Sequence, residues 1–169
     1  MRVAVVGATG AVGSTMLGVM RERGFPAGEV VPFASERSAG RKIDFGDAQL
    51  SVVSLSDETI QGFDLALFSA GSGVSEEWAP RFAGAGAVAV DNSSFWRMAD
   101  DVPLVVSEVN PEALEHHSGI VANPNCSTMQ MVVALKPILD AVGIERLVVS
   151  TYQSAVSYTH LTLPTIYSV

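Results

Sequence analysis

Apolar residues recur along this chain in two alternating rhythms. Short runs dense in β-branched and other apolar residues, Arg2 to Val6, Glu29 to Ala34, Phe63 to Ser69, Ala87 to Asp91 and Gly119 to Ala122, are of the kind that form parallel strands buried on both faces. Between them lie segments with helical spacing. Val12, Met16, Val19 and Met20 predict a helix through about Arg23, with Gly24 placed to stop it. A second helix is expected from about Val74 to Ala85, and the apolar run Met129 to Leu135 reads as a buried helix ended by Gly143. Lys42 to Ser54 holds two short strand-like pieces, either an extension of the sheet edge or a small hairpin. Leu104 to Val106 reads as a further strand, Pro111 to His116 as a helix with proline in its first turn, and Glu145 to Tyr152 as a strand leading away from the rest. This alternation predicts an α/β fold with a mostly parallel sheet and helices on both faces.

Composition narrows the partners. A chain of 169 residues, 48% of them hydrophobic, can bury one good core and accommodates one domain or one domain and part of another. Ten Lys and Arg against 18 Asp and Glu give a formal charge of -8, a surface that repels nucleic acid and anionic membrane. A single cysteine excludes an internal disulfide, and the first strand begins at the N-terminus with no signal peptide ahead of it. Both features point to a reducing cytoplasm. No apolar run is long enough to cross a bilayer.

The first chemical signal follows the first strand. Gly7-Ala8-Thr9-Gly10-Ala11-Val12-Gly13 fits a variant of the dinucleotide fingerprint, in which a tight turn lets backbone amides approach a pyrophosphate at the next helix's N-terminus. Strand, glycine turn and helix together make the expected fold Rossmann-like. Past the second strand stands Ser35-Glu36-Arg37-Ser38. Two hydroxyls and a guanidinium there suit the 2'-phosphate of NADP, while Glu36 keeps NAD open, since an acidic side chain at this place binds the free ribose hydroxyl. Ser69-Ala70-Gly71, after the Phe63 to Ser69 strand, is small enough for a flat ring to approach the backbone. It is also what an ordinary strand-to-helix turn looks like.

Two polar turns lie beyond later strands, where open parallel sheets bind ligands. Asp91-Asn92-Ser93-Ser94 leads into Phe95-Trp96-Arg97, and Arg97 either clamps a phosphate or carboxylate or pairs on the surface with Asp100 or Asp101. His116 and His117, at a helix end, are read as noncatalytic. Asn123-Pro124-Asn125-Cys126-Ser127-Thr128 holds the one cysteine where Pro124 enforces an extended approach and a helix begins. The helix dipole there favours negative charge, the form in which sulfur is a nucleophile. A lone cysteine is otherwise more often a small buried hydrophobe.

Together these motifs make the chain, from Met1 to about Ser154, resemble the N-terminal portion of the bacterial aspartate-semialdehyde dehydrogenases. The most specific piece is Asn123 to Thr128, supported by Gly7 to Gly13, Ser35 to Ser38, Asp91 to Ser94 and Thr151-Tyr152-Gln153. The resemblance implies that Cys126 is the nucleophile, that Asn92 and Arg97 contact the substrate phosphate, and that Gln153 helps to orient the acyl intermediate. The implied reaction is NADP-dependent reductive dephosphorylation of L-aspartyl 4-phosphate to L-aspartate 4-semialdehyde through a cysteine thioester, in the synthesis of lysine through diaminopimelate, methionine and threonine. Ser107 departs from the proline expected before Glu108-Val109-Asn110. The nearest enzyme rival, N-acetyl-gamma-glutamyl-phosphate reductase, prefers glycine before and tyrosine after its cysteine, where this chain has Asn125 and Ser127. A catalytically silent dinucleotide-binding module is the alternative of a different class.

The end of the chain departs from that pattern. Val156 to Thr165 looks like the translation of a transposase-type sequencing adapter, and residues 156–169 are expected to be a non-native tail. The expected organisation is thus a dinucleotide-binding domain over 1–130 and the start of a catalytic and dimerisation domain over 131–155. The family's acid/base histidine, its substrate-carboxylate arginine and most of the second domain would follow the break. The chain alone is therefore expected to bind dinucleotide without turning over, and its parent to be a homodimer or homotetramer.

Overall fold

The computed structural model describes residues 1–151. Gln153 and residues 156–169 lie outside the described residues. Six strands form one parallel sheet: β1 (Arg2–Val6), β2 (Glu29–Ala34), β5 (Val53–Ser54), β6 (Leu65–Phe68), β7 (Val88–Asp91) and β8 (Ile120–Ala122), in the order β5-β2-β1-β6-β7-β8. The chain builds outward from β1 in one direction and then returns to build in the other, so strand order reverses beside β1. In such sheets the carboxyl ends of the strands on either side of the reversal open into a crevice. The Lys42 to Ser54 region does both things its sequence allows. β3 (Lys42–Phe45) and β4 (Ala48–Ser51) pair as an antiparallel hairpin, and β5 becomes the edge of the main sheet.

Each face of the sheet has its own core. On one, Ala4, Val6, Phe33, Ala66, Phe68 and Ala89 pack against Ala79 and Phe82 of helix α2 (Ser72–Gly84). Phe82 is the hub, with its ring 5.5–5.8 Å from those of Phe33, Phe63 and Phe68, two of the three at near-right angles. On the other face Val3, Val5 and Val30 meet Leu17 and Met20 of helix α1 (Ala11–Glu22), with Ile43, Phe45 and Leu50 of the hairpin packed alongside. The contact stripe of α1 is Gly13, Leu17 and Met20, spaced i, i+4, i+7. That stripe differs from the one expected. Gly13 has no side chain, so α1 lies directly on the turn after β1, which rotates Val12 and Val19 outward to 48% and 40% exposure. With Thr15, Met16 and Leu67 they line a shallow apolar groove.

Three further expectations are corrected. Leu104 to Val106 forms no strand, only a bridge between Leu104 and Ala122. The side chain of Asn110 takes over the ladder there, accepting from the Val106 amide at 2.8 Å and donating to the Leu104 carbonyl at 2.9 Å. Helix α3 (Cys126–Val142) forms where expected and ends at Gly143, but none of its residues is buried. Its apolar side chains, Val133, Ile138, Leu139 and Val142 among them, have nothing large to pack on among the described residues. Glu145 to Thr151 is likewise not a strand, for a strand exists by pairing and this segment has no partner within the described part. Pro111 to His116 is helical, in the tighter 3-10 form.

Candidate active site and cofactor cleft

The turn after β1 is fastened before any ligand arrives. The amides of Gly7 and Ala8 both donate to the Phe33 carbonyl, at 2.9 and 3.0 Å, and the Gly10 amide closes the loop onto the Gly7 carbonyl at 3.0 Å. Gly7 has φ +89°, and a Cβ there would lie against the Ser69 backbone. The first bond of α1 is Ser14 amide to Gly10 carbonyl, 2.9 Å, so among the described residues the amides of Thr9, Ala11, Val12 and Gly13 find no acceptor. These are the orphan donors of a helix N-terminus, with the positive end of the dipole behind them.

Thr9 among them lines a cleft of about 450 Å³ at the carboxyl edge of the sheet, over the strand-order reversal. Gly7, Thr9 and Gly10 form one wall, Ala34, Ser35 and Glu36 a second, and Ser69 and Ala70 a third. Val74 and Trp78, one turn apart on α2, with Ser54 and Leu55 after β5, complete it. Those four escaped the sequence reading. Val74 and Trp78 carried a usable signal, since residues four apart share a helix face, but a two-residue β5 gives no pattern. Six of the expected cofactor residues, Gly7, Thr9, Gly10, Ser35, Ser69 and Ala70, therefore share one cavity. Ala11, Val12 and Gly13, the first residues of α1, do not line it. Gly71 caps α2 and lies off the lining, as do Arg37 and Ser38. Arg37 is exposed, in a 3-10 turn over Glu36–Ser38, with no side-chain partner among the described residues.

The second constellation lies at the ends of β7 and β8. Asp91 is fully buried, and its carboxylate accepts from the Ser93 amide at 3.0 Å and the Ser93 hydroxyl at 2.6 Å, which folds the chain back over the strand end. Trp96 then anchors the 3-10 turn Phe95–Met98, donating from Nε1 to the Ser75 carbonyl on α2 at 3.4 Å. This brings Arg97 over the sheet edge. It does not pair with Asp100 or Asp101: Nε donates to the Asn123 carbonyl at 2.9 Å and Nη2 to the Asn92 carbonyl at 3.0 Å. Asn92 and Asn123 join each other, Nδ2 of Asn123 donating to Oδ1 of Asn92 at 2.9 Å. His117 accepts the Gly119 amide on Nδ1 at 3.0 Å, a turn-forming contact.

Cys126 is the first residue of α3 and is exposed. The preceding Pro124 is buried and Asn125 is the N-cap, its Oδ1 accepting from the Ser127 amide at 3.0 Å and the Ser127 hydroxyl at 2.6 Å. The Met129 amide starts the helix ladder on the Asn125 carbonyl. Among the described residues the amides of Cys126 and Thr128 find no acceptor, so two donors remain beside the sulfur.

An open parallel sheet reversing at β1, with a glycine turn leading into α1, defines a Rossmann-like dinucleotide-binding domain. The family described as "Semialdehyde dehydrogenase, NAD binding domain" matches residues 2–117, and the chain belongs to that family. It is 59% identical over 156 residues to the aspartate-semialdehyde dehydrogenase of Aquifex aeolicus, covering 90% of this chain and 46% of that protein. With the enzyme of Legionella pneumophila it shares 55% identity, covering 91% and 45%. Among solved structures, aspartate semialdehyde dehydrogenase II of Vibrio cholerae complexed with ASA superposes with a TM-score of 0.82 at 53% identity, over 85% of this chain and 48% of that one. The Candida albicans enzyme with NADP gives a TM-score of 0.70 at 25% identity, over 85% and 48%. The chain thus spans about half the length of the curated relatives it matches. Among the described residues no helix is long and apolar enough to cross a membrane.

Proposed function

We propose that this chain is the cofactor-binding, nucleophile-bearing half of a cytoplasmic NADP-dependent aspartate-semialdehyde dehydrogenase, with residues 1–130 as the dinucleotide-binding domain and 131–155 as the start of the catalytic domain. The observation that carries this reading is the position of Cys126: an exposed thiol opening α3, on the same sheet edge as the glycine cleft and three residues past the carbonyl that holds Arg97. The relatives named above, all called aspartate-semialdehyde dehydrogenases, support this substrate over an N-acetylated glutamyl phosphate.

The cleft fits a dinucleotide. Orphan amides at the start of α1 suit a pyrophosphate, and a Cβ on Gly10 would meet only the Gly7 carbonyl oxygen, at 3.3 Å. The fold crowds Gly10 far less than Gly7 or Gly13, so its bareness suits the close approach of a ligand. Ser35, Arg37 and Ser38 suit a 2'-phosphate. When bound, NADPH supplies the hydride. The chain supplies the rest of this half-site. Arg97 and Asn92 hold the acyl phosphate. The Cys126 sulfur attacks the acyl carbon, the carbon–oxygen bond to phosphate breaks, and phosphate leaves with that electron pair to give a thioester. The amides of Cys126 and Thr128 stabilise the oxyanion formed on attack and again on hydride addition. Collapse of the thiohemiacetal then breaks the carbon–sulfur bond, giving L-aspartate 4-semialdehyde and returning the thiolate. The second half of the parent, a homodimer or homotetramer, contributes the acid/base group and the grip on the substrate's carboxylate.

The test uses the chain both as it stands and joined to the second half of a relative. Alone it should bind NADP, react with iodoacetamide at Cys126 and give no aldehyde-dependent reduction of NADP. The joined protein should turn over, and Cys126→Ala should abolish turnover while leaving NADP affinity unchanged. Turnover retained by Cys126→Ala would reject the mechanism.

A further inference from the structure

We infer that Asn123 is a positioning residue for the phosphate site: its side chain fixes the two carbonyls that hold Arg97 relative to each other, and so aims the guanidinium. The inference rests on the reading of Arg97 as the phosphate-binding side chain.

Guanidinium carries five N–H donors in a fixed plane. Arg97 uses two of them, both on its Nε–Nη2 edge, against the carbonyls of Asn123 and Asn92. The Nη1–Nη2 fork at its far end is left, with no acceptor recorded among the described residues for Nη1, and that fork is the geometry that grips two oxygens of a phosphate. Any residue can offer a carbonyl, so identity at 92 and 123 is not needed for the contacts themselves. What matters is that the carbonyls belong to different loops, one following β7 and the other β8, and must stay a fixed distance apart. The backbone joins them once, at the Asn123 amide and the Asp91 carbonyl, and the side-chain bond from Asn123 Nδ2 to Asn92 Oδ1 adds a second link between the very residues whose carbonyls hold Arg97. Both loops are otherwise tied back to strand ends by their amides, Asn92 to the Phe68 carbonyl at 3.0 Å and Asn123 to the Asp91 carbonyl at 2.8 Å. Those backbone ties survive any substitution at 123 except proline. Asn123 is also held extended by the following Pro124, so the same residue orients the arginine on one side and the approach to Cys126 on the other.

The measurement is the concentration of inorganic phosphate that halves the rate of Cys126 alkylation, in the full 169-residue chain. Asn123→Ala should raise it about fivefold, the effect of one neutral hydrogen bond, while NADP affinity stays unchanged and the thermal midpoint falls by no more than a few degrees. If Asn123→Ala does not fold, Asn123→Ser, which keeps a polar group but cannot reach Asn92, carries the same expectation. Coupling is the signature that a merely structural role would not produce. In an Arg97→Lys background, which lacks the planar fork, adding Asn123→Ala should change phosphate protection by less than about twofold. Phosphate protection unaffected by Asn123→Ala, or lost to the same extent with lysine at 97, overturns the inference and leaves the site reading intact. An unsubstituted chain that phosphate does not protect, or an Arg97→Ala chain still protected, overturns the site reading and the inference with it.

Discussion

Replace Gly13 with alanine and the added methyl group has nowhere to go. Its Cβ would overlap the Gly7 carbonyl oxygen outright and come within 2.7 Å of the Gly7 carbonyl carbon and 2.8 Å of Ala8 Cα. All three atoms belong to the backbone of the turn that the amides of Gly7 and Ala8 fasten to β2, so no side chain can swing aside. Forcing a methylene into a packed site costs about 1–3 kcal/mol, and an overlap with fixed backbone falls in the upper part of that range, about 2–3 kcal/mol. Alanine returns about 1 kcal/mol of helix propensity over glycine, which leaves a net loss of about 1–2 kcal/mol. Gly18, five residues on in the same helix, has nothing within 4 Å of its Cβ position. There the propensity gain stands alone, so Gly18→Ala should stabilise by about 0.5–1 kcal/mol. One chemical change in one helix should thus move stability in opposite directions, by about 1.5–3 kcal/mol in total, read as opposed shifts of the urea midpoint at constant m. Gly10→Ala supplies the third arm: its Cβ would sit 3.3 Å from the Gly7 carbonyl oxygen, a milder crowding, so it should cost less stability than Gly13→Ala but reduce NADP affinity more than about tenfold, because the methyl occupies the ligand's approach. Gly13→Ala equal to or more stable than the parent would refute the packing of α1 on the turn, and Gly10→Ala with full NADP affinity would refute the cradle.

Two further outcomes can be measured on the same chain. Arg37→Ala should weaken NADP by about tenfold or more, the value of a charge-assisted hydrogen bond, and leave NAD nearly unchanged; equal losses would mean that Glu36, which lines the cleft, sorts the cofactor instead. The Glu108 carboxyl is held below its ordinary range, first by the Ser107 hydroxyl, 2.7 Å from its Oε2, and then by its own backbone amide. Ser107→Ala should raise the titration midpoint of Glu108, followed by carboxyl NMR. A depressed carboxyl stabilises the fold above its unfolded value and loses that contribution as pH falls through the folded one, so the substitution should slightly reduce stability at neutral pH and change nothing at strongly acid pH.

The features legible in the sequence are those written in adjacent residues. The glycine turn after β1 and the Asn-Pro-Asn-Cys approach to α3 each specify backbone geometry within seven residues, and both formed where expected. The cage around Arg97 was not legible, because its acceptors lie five and 26 residues away and are backbone carbonyls, which no residue type advertises. A comparable limit hid Ser54 and Leu55 in the cleft, since a two-residue β5 gives no pattern to read. Leu104 to Val106 failed as a strand for the reverse reason, an Asn110 side chain substituting for the ladder. The apolar pattern of α3 promised burial, but such a pattern says only that a surface prefers to be covered and not what covers it.

The parallel order of the sheet has one consequence that concerns distance. The turn at Ser69 and Ala70 leaves β6, and the approach to Cys126 leaves β8, with β7 between them. Neighbouring strands lie about 4.8 Å apart, so two steps across the sheet separate the Ser69–Ala70 wall of the cleft from the approach to Cys126 by ~10 Å. On the proposed function, the gap left for a flat ring and an acyl group is a count of strands, and no side-chain substitution can lengthen or shorten that ruler.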